Sequence, residues 1–113
     1  MALPKKNRIV SKKDIDLVFK NGLTVRGSFL FIKLAKNQKN HSRLAFIISS
    51  KHIPLAVDRN RIRRLLSIEA TRFPNLLTSS HDIVVGLLKK VIRNQFRYLG
   101  EDLNKVLSKI NTG

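Results

Sequence analysis

Four arginines occupy six consecutive positions, 59 to 64, in a chain of 113 residues. A guanidinium group is planar and holds phosphate oxygens through two parallel hydrogen bonds, a geometry that lysine does not reproduce. Four such groups repel one another, and only Asp58 is close enough in sequence to relieve the repulsion. The segment is therefore predicted to bind phosphate groups. This interpretation is favoured over the alternative, a solvent-exposed charged face with no ligand.

A predicted amphipathic helix, roughly residues 55–72, carries these arginines near its start. Its apolar stripe comprises Ile62, Leu65, Leu66 and Ile68. A helical wheel gathers on the opposite face Asn60, Arg63, Arg64, Ser67 and Thr71, with Arg59 and Arg61 at the flanks. Positive charge near a helix N-terminus opposes the helix dipole, a cost that a bound phosphate would reverse. One face is thus predicted to be core and the other to bind a polyanion.

The positive charge extends to the whole chain. Its 23 Lys and Arg residues against 7 Asp and Glu give a formal charge of +16, which indicates a polyanionic partner. Because 42% of the residues are hydrophobic, the composition favours one compact domain over a disordered basic tail. Residues 1–10 contain Pro4 and three basic residues, and they are predicted to form a flexible basic arm ahead of a single domain at residues 11–113.

The composition also excludes several classes of protein. The chain has no cysteine, which rules out a disulfide scaffold and a thiolate zinc site. His41 and His52 have no carboxylate or second histidine at metal-ligand spacing, so we expect no metal site. The longest apolar runs, residues 29–32 and 83–88, fall short of the roughly 20 residues that a membrane-spanning helix requires. With no signal peptide pattern at the N-terminus either, we expect a cytoplasmic protein without a membrane partner.

A helix and three strands are predicted before the basic helix. Ser11 is placed to cap a short helix that runs through Phe19 and ends at Asn21-Gly22. Three β-rich runs follow, at residues 23–26, 28–35 and 43–49. The polar stretch between the last two runs is predicted to be an exposed hairpin loop.

A strand and a helix are predicted after the basic helix, which ends at Phe73-Pro74-Asn75. The nearly continuous apolar run at residues 83–88 is typical of a strand covered on both faces, at the centre of the sheet or beside a parallel neighbour. A last helix begins near Asn94 or Gln95 and extends to Ile110. The resulting order, αβββαβα, predicts a small α/β sandwich with a mostly antiparallel sheet.

The arginine segment resembles a known signature. Arg59-Asn60-Arg61-Ile62-Arg63-Arg64-Leu65-Leu66, preceded by Lys51 and Ala56-Val57, is similar to the signature of the bacterial ribonuclease P protein component. The resemblance extends over roughly residues 8–110, including Val18-Phe19-Lys20-Asn21-Gly22. It implies one RNA-binding α/β domain with one parallel strand pair, joined through the basic helix by a left-handed crossover. The general rule for such connections favours the right-handed form.

The function that the resemblance implies is that of a protein subunit of ribonuclease P. Such a subunit binds a large catalytic RNA and the 5′ leader of precursor tRNA, and it promotes removal of the leader. The RNA performs the hydrolysis, so no catalytic residue is expected in the protein. Mg²⁺ is expected to be required through the RNA, with no metal site on the protein itself.

Two binding surfaces follow from the resemblance. The surface for the RNA subunit would comprise Lys51, Arg59, Asn60, Arg61, Arg63 and Arg64. The cleft for the leader would comprise Ile15, Phe19, Phe29, Phe31, Asn60 and Arg63. A leader of variable sequence is suited to base stacking and backbone charge pairing. At least one of Phe29 and Phe31 is expected to pack in the core instead.

The chain departs from the family pattern at four positions. Ile15 stands where the family usually has a second aromatic residue, one turn before Phe19, which predicts weaker stacking. Ser67 and Ile68 replace an Arg-Glu pair, which predicts one phosphate contact fewer. Pro54 replaces a glycine near the end of the third strand.

Three other functions are compatible with parts of the sequence. A ribosomal or ribosome-assembly protein would bind the same phosphates, and only the arginine signature speaks against it. A helix-turn-helix DNA-binding protein would need a helix where a β-rich segment precedes the basic helix, so no DNA partner is expected. A nuclease acting on its own would need clustered carboxylates for Mg²⁺. Asp14 and Asp16 do not face each other on a helix, and Glu101 and Asp102 are predicted on the exposed side of the last helix.

Overall fold

Alternating apolar residues build one four-stranded sheet. In the computed structural model, which describes residues 3–111, the strands are Leu23–Arg26 (β1), Leu30–Lys36 (β2), Arg43–Ile47 (β3) and His81–Leu87 (β4). They lie in the order β1-β2-β4-β3, with β3 and β4 parallel and the other two pairs antiparallel. The apolar run at residues 83–88 was predicted as a central strand or a parallel neighbour, and β4 is both.

Four helices complete the fold, and they confirm the predicted order αβββαβα with one addition. They are Lys12–Asn21 (α1), Ala56–Ala70 (α2), Pro74–Leu77 (α3) and Arg97–Asn111 (α4), and single 3₁₀ turns precede α1 and α4. The one-turn helix α3 is the addition. Helix α2 ends at Ala70, ahead of the predicted Phe73-Pro74-Asn75 stop, and Pro74 starts α3 because proline is well suited to the first position of a helix. Among the described residues, no helix is long and apolar enough to span a membrane.

The sheet separates two apolar clusters. The larger one fills the space between the sheet and the helices α2 and α4; it includes Leu30, Ile32, Ile62, Leu66, Ile83, Leu99 and Leu103. The smaller one lies on the opposite face under α1; it comprises Ile9, Val18, Ala45 and Val84, with Ile15 packed against it. A single short helix, α1, therefore covers this part of the second face.

Residues 3–10 pack against the domain, which differs from the flexible arm predicted from the sequence. Leu3 is only 1% exposed and joins the larger cluster. The Ile9 amide donates to the Leu44 carbonyl oxygen at 2.9 Å, and Asn7 Nδ2 donates to the Ser42 carbonyl oxygen at 2.7 Å. Two apolar residues and the unpaired edge of β3 thus hold this segment despite its basic side chains. Met1 and Ala2 lie outside the described residues.

Asp102 joins α4 to the start of β2. Its carboxylate is 5% exposed and accepts hydrogen bonds from the amides of Ser28, Phe29 and Leu30 at 2.8 to 2.9 Å. A Cβ on Gly27 would lie 2.6 Å from Asp102 Oδ1, so only glycine leaves room for the carboxylate. The prediction that Asp102 is exposed beside Glu101 was wrong. The same contacts hold residues 27–29 out of the sheet, which is why β2 begins at Leu30 and not at the predicted Ser28.

Candidate nucleic-acid interface

Two aromatic rings meet beside α1, on the face of the sheet that this helix covers. Phe19 on α1 and Phe31 on β2 have ring centroids 6.2 Å apart in an edge-to-face arrangement. Gly86 on β4 makes room for the Phe31 ring, since a Cβ there would lie 2.5 Å from Phe31 Cζ. The Lys33 ammonium lies 5.8 Å from the centre of the Phe19 ring, which is 39% exposed. An accessible aromatic ring beside a cation can stack a base and pair with its phosphate. We call Ile15, Phe19, Phe31 and Lys33 the α1 cleft.

Two more side chains predicted for the leader cleft, Ile15 and Phe29, have surroundings different from those of the Phe19 and Phe31 rings. Ile15 is partly buried and packs on the smaller cluster, so it supports α1 more than it widens the cleft. Phe29 packs against the larger cluster on the far face of the sheet, with the Lys89 ammonium 5.0 Å from its ring centre. Phe29 therefore lies outside the cleft predicted for it, because Asp102 holds its backbone away from β2.

An ion-pair network ties α1 to the sheet. Arg43 on β3 donates to Asp82 on β4 at 2.6 and 3.0 Å, and to Asp14 on α1 at 3.2 Å. Burial alone would raise the pKa of Asp82, but hydrogen bonds from Arg43 and Asn37 and the charges of Arg43 and Lys39 lower it overall. The hydrogen bond to Asp82 also raises the pKa of the Arg43 guanidinium. This network fixes the helix that carries Phe19.

Stability is expected to fall in acid because of this network. The pKa of Asp82 is lower in the folded protein than its ordinary value of 3.8, so its contribution is complete above that value and is lost as the pH falls through the folded pKa. Urea unfolding between pH 6 and pH 2 measures the effect, and Asp82→Asn is expected to flatten the acid limb. Asp16→Asn, which removes an exposed carboxylate, controls for net charge. Superimposable acid limbs for wild type and Asp82→Asn would contradict the assignment.

Among the described residues, no carboxylate pairs with the signature arginines, which are Arg59, Arg61, Arg63 and Arg64. Within residues 3–111, every ion pair involves other cations. Asp58, the acid nearest in sequence, is buried and pairs instead with Arg93 at 3.1 Å. Arg63 Nη1 donates to Asn60 Oδ1 at 3.0 Å, which aligns these two polar groups on one side of α2. Lys51 is exposed in the turn that precedes α2. The arrangement leaves the guanidinium charges available to an external anion.

Arg59 has a structural role that the sequence did not indicate. Its Nη1 donates to the carbonyl oxygens of Ile53 and Pro54 at 2.9 and 2.8 Å. These bonds close the turn before α2. Loss of Arg59 would therefore disturb the turn as well as any phosphate contact, and Arg64 is the cleaner test of the surface.

The predicted helical wheel was wrong at two positions of α2. Ser67 is fully buried, with its hydroxyl donating to the Arg64 carbonyl oxygen at 2.8 Å, whereas Ile68 is 46% exposed. The helix rests on the sheet through Ile62, Leu66 and Ala70, which repeat every four residues. This rotates the core stripe away from Ile68 and turns that residue toward α4.

A groove between α2 and α4 brings together further cations that the sequence analysis missed. Its volume is about 790 Å³. The rim carries Arg61, Arg64, Arg72, Arg97 and Lys105. The floor includes Leu65, Ile68 and Gly100. We call this the α2–α4 groove. Arg97 and Lys105 lie eight residues apart, a helical repeat that would have placed both on one face of α4. For Lys33, the signal was its strand spacing of two from Phe31.

The acidic residues serve the fold. Five of the seven acids make ion pairs or hydrogen bonds within it: Asp14, Asp58, Glu69, Asp82 and Asp102. Over the described part of the chain, no three His, Cys, Asp or Glu side chains come together to hold a metal ion. The interface is therefore cationic and aromatic in its chemistry.

Comparison with known proteins gives consistent matches. The family described as Ribonuclease P matches residues 3–111. The chain is 31% identical over 108 residues to the ribonuclease P protein component of Pseudanabaena sp. (strain PCC 6903), covering 95% of this chain and 93% of that protein. It is 36% identical over 93 residues to the one from Legionella pneumophila (strain Corby), covering 79% of each.

Solved structures match the fold at lower identity. The RNase P protein of Staphylococcus aureus superposes with a TM-score of 0.77 at 23% identity, over 92% of this chain and 94% of that one. The RNase P protein from Thermotoga maritima gives 0.72 at 22% identity, over 90% and 96%. The alternative of a ribosomal or assembly protein draws no support from any of these matches.

Proposed function

The chain belongs to the ribonuclease P protein family, and from that premise we propose how its two surfaces divide the work of the protein subunit. The protein is a subunit of an endoribonuclease that matures the 5′ ends of tRNA. The signature arginines bind the RNA subunit, and the α1 cleft binds the 5′ leader of precursor tRNA. The observation that carries the proposal has two parts. An exposed aromatic ring lies beside a cation on one face, and the arginines on α2 have no acidic partner within the described residues.

The RNA subunit is assigned to α2 because of the charges there. Asn60, Arg61 and Arg64 are exposed, and the four signature arginines lack acidic partners within the described chain. A folded RNA offers phosphates at fixed positions, which suits guanidinium groups held on a rigid helix. Lys51 and the polar pair of Asn60 and Arg63 extend the same surface.

The leader is assigned to the α1 cleft because its chemistry tolerates any sequence. Stacking on Phe19 uses the π-face that every base has, and Lys33 supplies charge for the backbone. Phe31 supports the Phe19 ring from the sheet. Asn60 and Arg63 are assigned to the edge of the cleft by resemblance to the family.

Catalysis and metal binding are assigned to the RNA. Five of the protein's seven acids have partners within the fold, and the acids within residues 3–111 form no metal-binding group. By resemblance to the family, we assign the Mg²⁺ requirement of the assembled enzyme to the RNA. We expect the enzyme to act in the cytoplasm, where precursor tRNA is processed.

Cleavage of a precursor tRNA at its 5′ leader tests the proposal. Reactions at near-physiological salt and low Mg²⁺ compare the protein alone, a bacterial ribonuclease P RNA alone, and both together. Strong cleavage from the pair alone is the expected result. No stimulation above the RNA alone would overturn the function, and cleavage by the protein alone would overturn the assignment of catalysis to the RNA.

Arg64→Ala is expected to weaken binding of the RNA subunit and to reduce the slope of log affinity against log salt by about one, as loss of one phosphate contact does. Lys36→Ala removes an exposed charge at the end of β2 and should leave the slope unchanged. Arg64→Lys should keep the slope but not the full affinity, because it retains charge without the planar donors. Filter binding over a salt series measures all three. A wild-type slope for Arg64→Ala would remove this residue from the interface.

A further inference from the structure

We propose that the α2–α4 groove binds an unpaired nucleotide of RNA, with the base on its apolar floor and the flanking phosphates on its cationic rim. The choice of RNA as the ligand rests on the proposed function. The site itself lies on a face that the arginine signature covers only in part, since three of its five cations come from the end of α2 and from α4.

The rim of the groove carries a net positive charge that can bind an anion. Five cations face two acids, Glu69 and Glu101, across the groove. Glu69 is already occupied, because Asn104 Nδ2 donates to it at 3.0 Å and Arg72 Nη1 lies 3.7 Å from it. Within the described residues, Arg61, Arg64 and Lys105 have no ion-pair partner. The groove therefore retains a net positive charge that fits phosphate groups.

The floor of the groove is apolar and therefore suits a nucleotide base better than a phosphate group. Leu65 and Ile68 line it, and Ile68 keeps 46% of its surface exposed in the middle of a basic face. A site that bound only the phosphates of RNA would make no use of this apolar surface. An unpaired base presents a flat face that a duplex hides, and guanidinium planes such as those on this rim stack on bases. A volume of about 790 Å³ lies within the range of small-ligand sites.

Gly100 gives an independent indication that the space matters. Glycine inside a helix is less stable than alanine. Its φ is not positive, and a Cβ there would make ordinary contacts, 3.5 Å from Leu65 Cδ2 and 3.8 Å from Glu69 Oε2. Neither the backbone nor the packing requires glycine at this position. Its effect in the structure is to deepen the groove between α2 and α4.

Methyl NMR of the full chain, titrated with a single-stranded pentamer of uridine, tests the site. The Leu65 and Ile68 methyl signals report on the floor, and Ile15 reports on the α1 cleft. Saturable shifts of the floor signals are expected. Their half-saturation concentration should rise about 5- to 150-fold in Gly100→Leu, which fills the groove, the range for loss of one stacked base. Gly100→Ala, which adds a single methyl group to the groove, should give a smaller rise than Gly100→Leu.

A second variant keeps the test independent of folding. Ile68→Glu changes an exposed side chain, places a carboxylate on the floor, and should give a similar loss. Floor signals that stay unmoved while Ile15 shifts would overturn the proposal. So would equal binding by Ile68→Glu and wild type, or tighter floor binding of a polyaspartate peptide, which would indicate an acidic protein partner. An RNA duplex of equal length should not shift the floor signals, and saturable floor shifts by the duplex would also overturn it.

The cleavage assay separates this site from the proposed function. Stimulated cleavage by the wild type together with unmoved floor signals would overturn the groove and leave the function standing. Saturable floor signals without stimulated cleavage would support the groove as an RNA site and overturn the proposed function.

Discussion

Phe19→Ala weakens binding of precursor tRNA to the assembled enzyme about 5- to 150-fold and leaves binding of mature tRNA unchanged. The expected loss corresponds to stacking of one base, about 1–3 kcal/mol. Mature tRNA has no leader and makes no contact in the α1 cleft, so its binding does not depend on Phe19. The measurement is equilibrium binding of precursor tRNA and of mature tRNA to holoenzyme assembled with wild-type or Phe19→Ala protein.

Phe29→Ala is the matched control for this experiment. Phe29 is also an aromatic residue near a lysine ammonium, but it lies on the far face of the sheet. Phe29→Ala should therefore leave the preference for precursor tRNA over mature tRNA intact. Phe19→Tyr, which keeps an aromatic ring, should bind precursor tRNA more tightly than Phe19→Ala does. Equal losses on both substrates for Phe19→Ala would assign Phe19 to packing of α1 alone.

Asp102→Ala is expected to lower the free energy of unfolding by about 4 kcal/mol, because it leaves three backbone donors without their charged acceptor. Asp102→Asn keeps one carbonyl oxygen and should lose less. Urea unfolding of the full chain measures both changes. Glu101→Ala, at the exposed neighbouring position, should fall within about 0.5 kcal/mol of wild type. A loss below about 1 kcal/mol for Asp102→Ala would mean that water replaces the carboxylate.

The elements were predictable because their signals are local. The helical repeat in α4 and the apolar run in β4 each lie within one segment, and both were located from periodicity. Asp102 was not predictable, since its three amide partners are 72 to 74 residues away. The N-terminal segment escaped for a related reason, because Leu3 and Ile9 are too few to form a pattern and find their partners only in the folded domain.

The candidate site was predictable in its residue types more than in its geometry. At least one of Phe29 and Phe31 was expected in the core, but strand alternation alone places both on the same face and does not say which one packs there. The Asp102 contacts before β2 separate them. The helical wheel for α2 also could not show which side of the helix faces the core, because packing against α4 and the sheet decides this. Ser67, predicted on the polar face, is therefore buried, and Ile68, predicted in the core, is exposed.

The place of β4 in the sheet sets the order in which the protein can fold during synthesis. β4 lies between β2 and β3, yet it is the last strand to leave the ribosome. Until residue 87 emerges, β3 has no neighbouring strand with which to pair and the apolar side chains of β2 and β3 have no central strand to join. Closing these distant contacts is slow relative to local helix formation. The β1–β2 hairpin can pair early, but the full sheet is expected to form only after β4 has been synthesised.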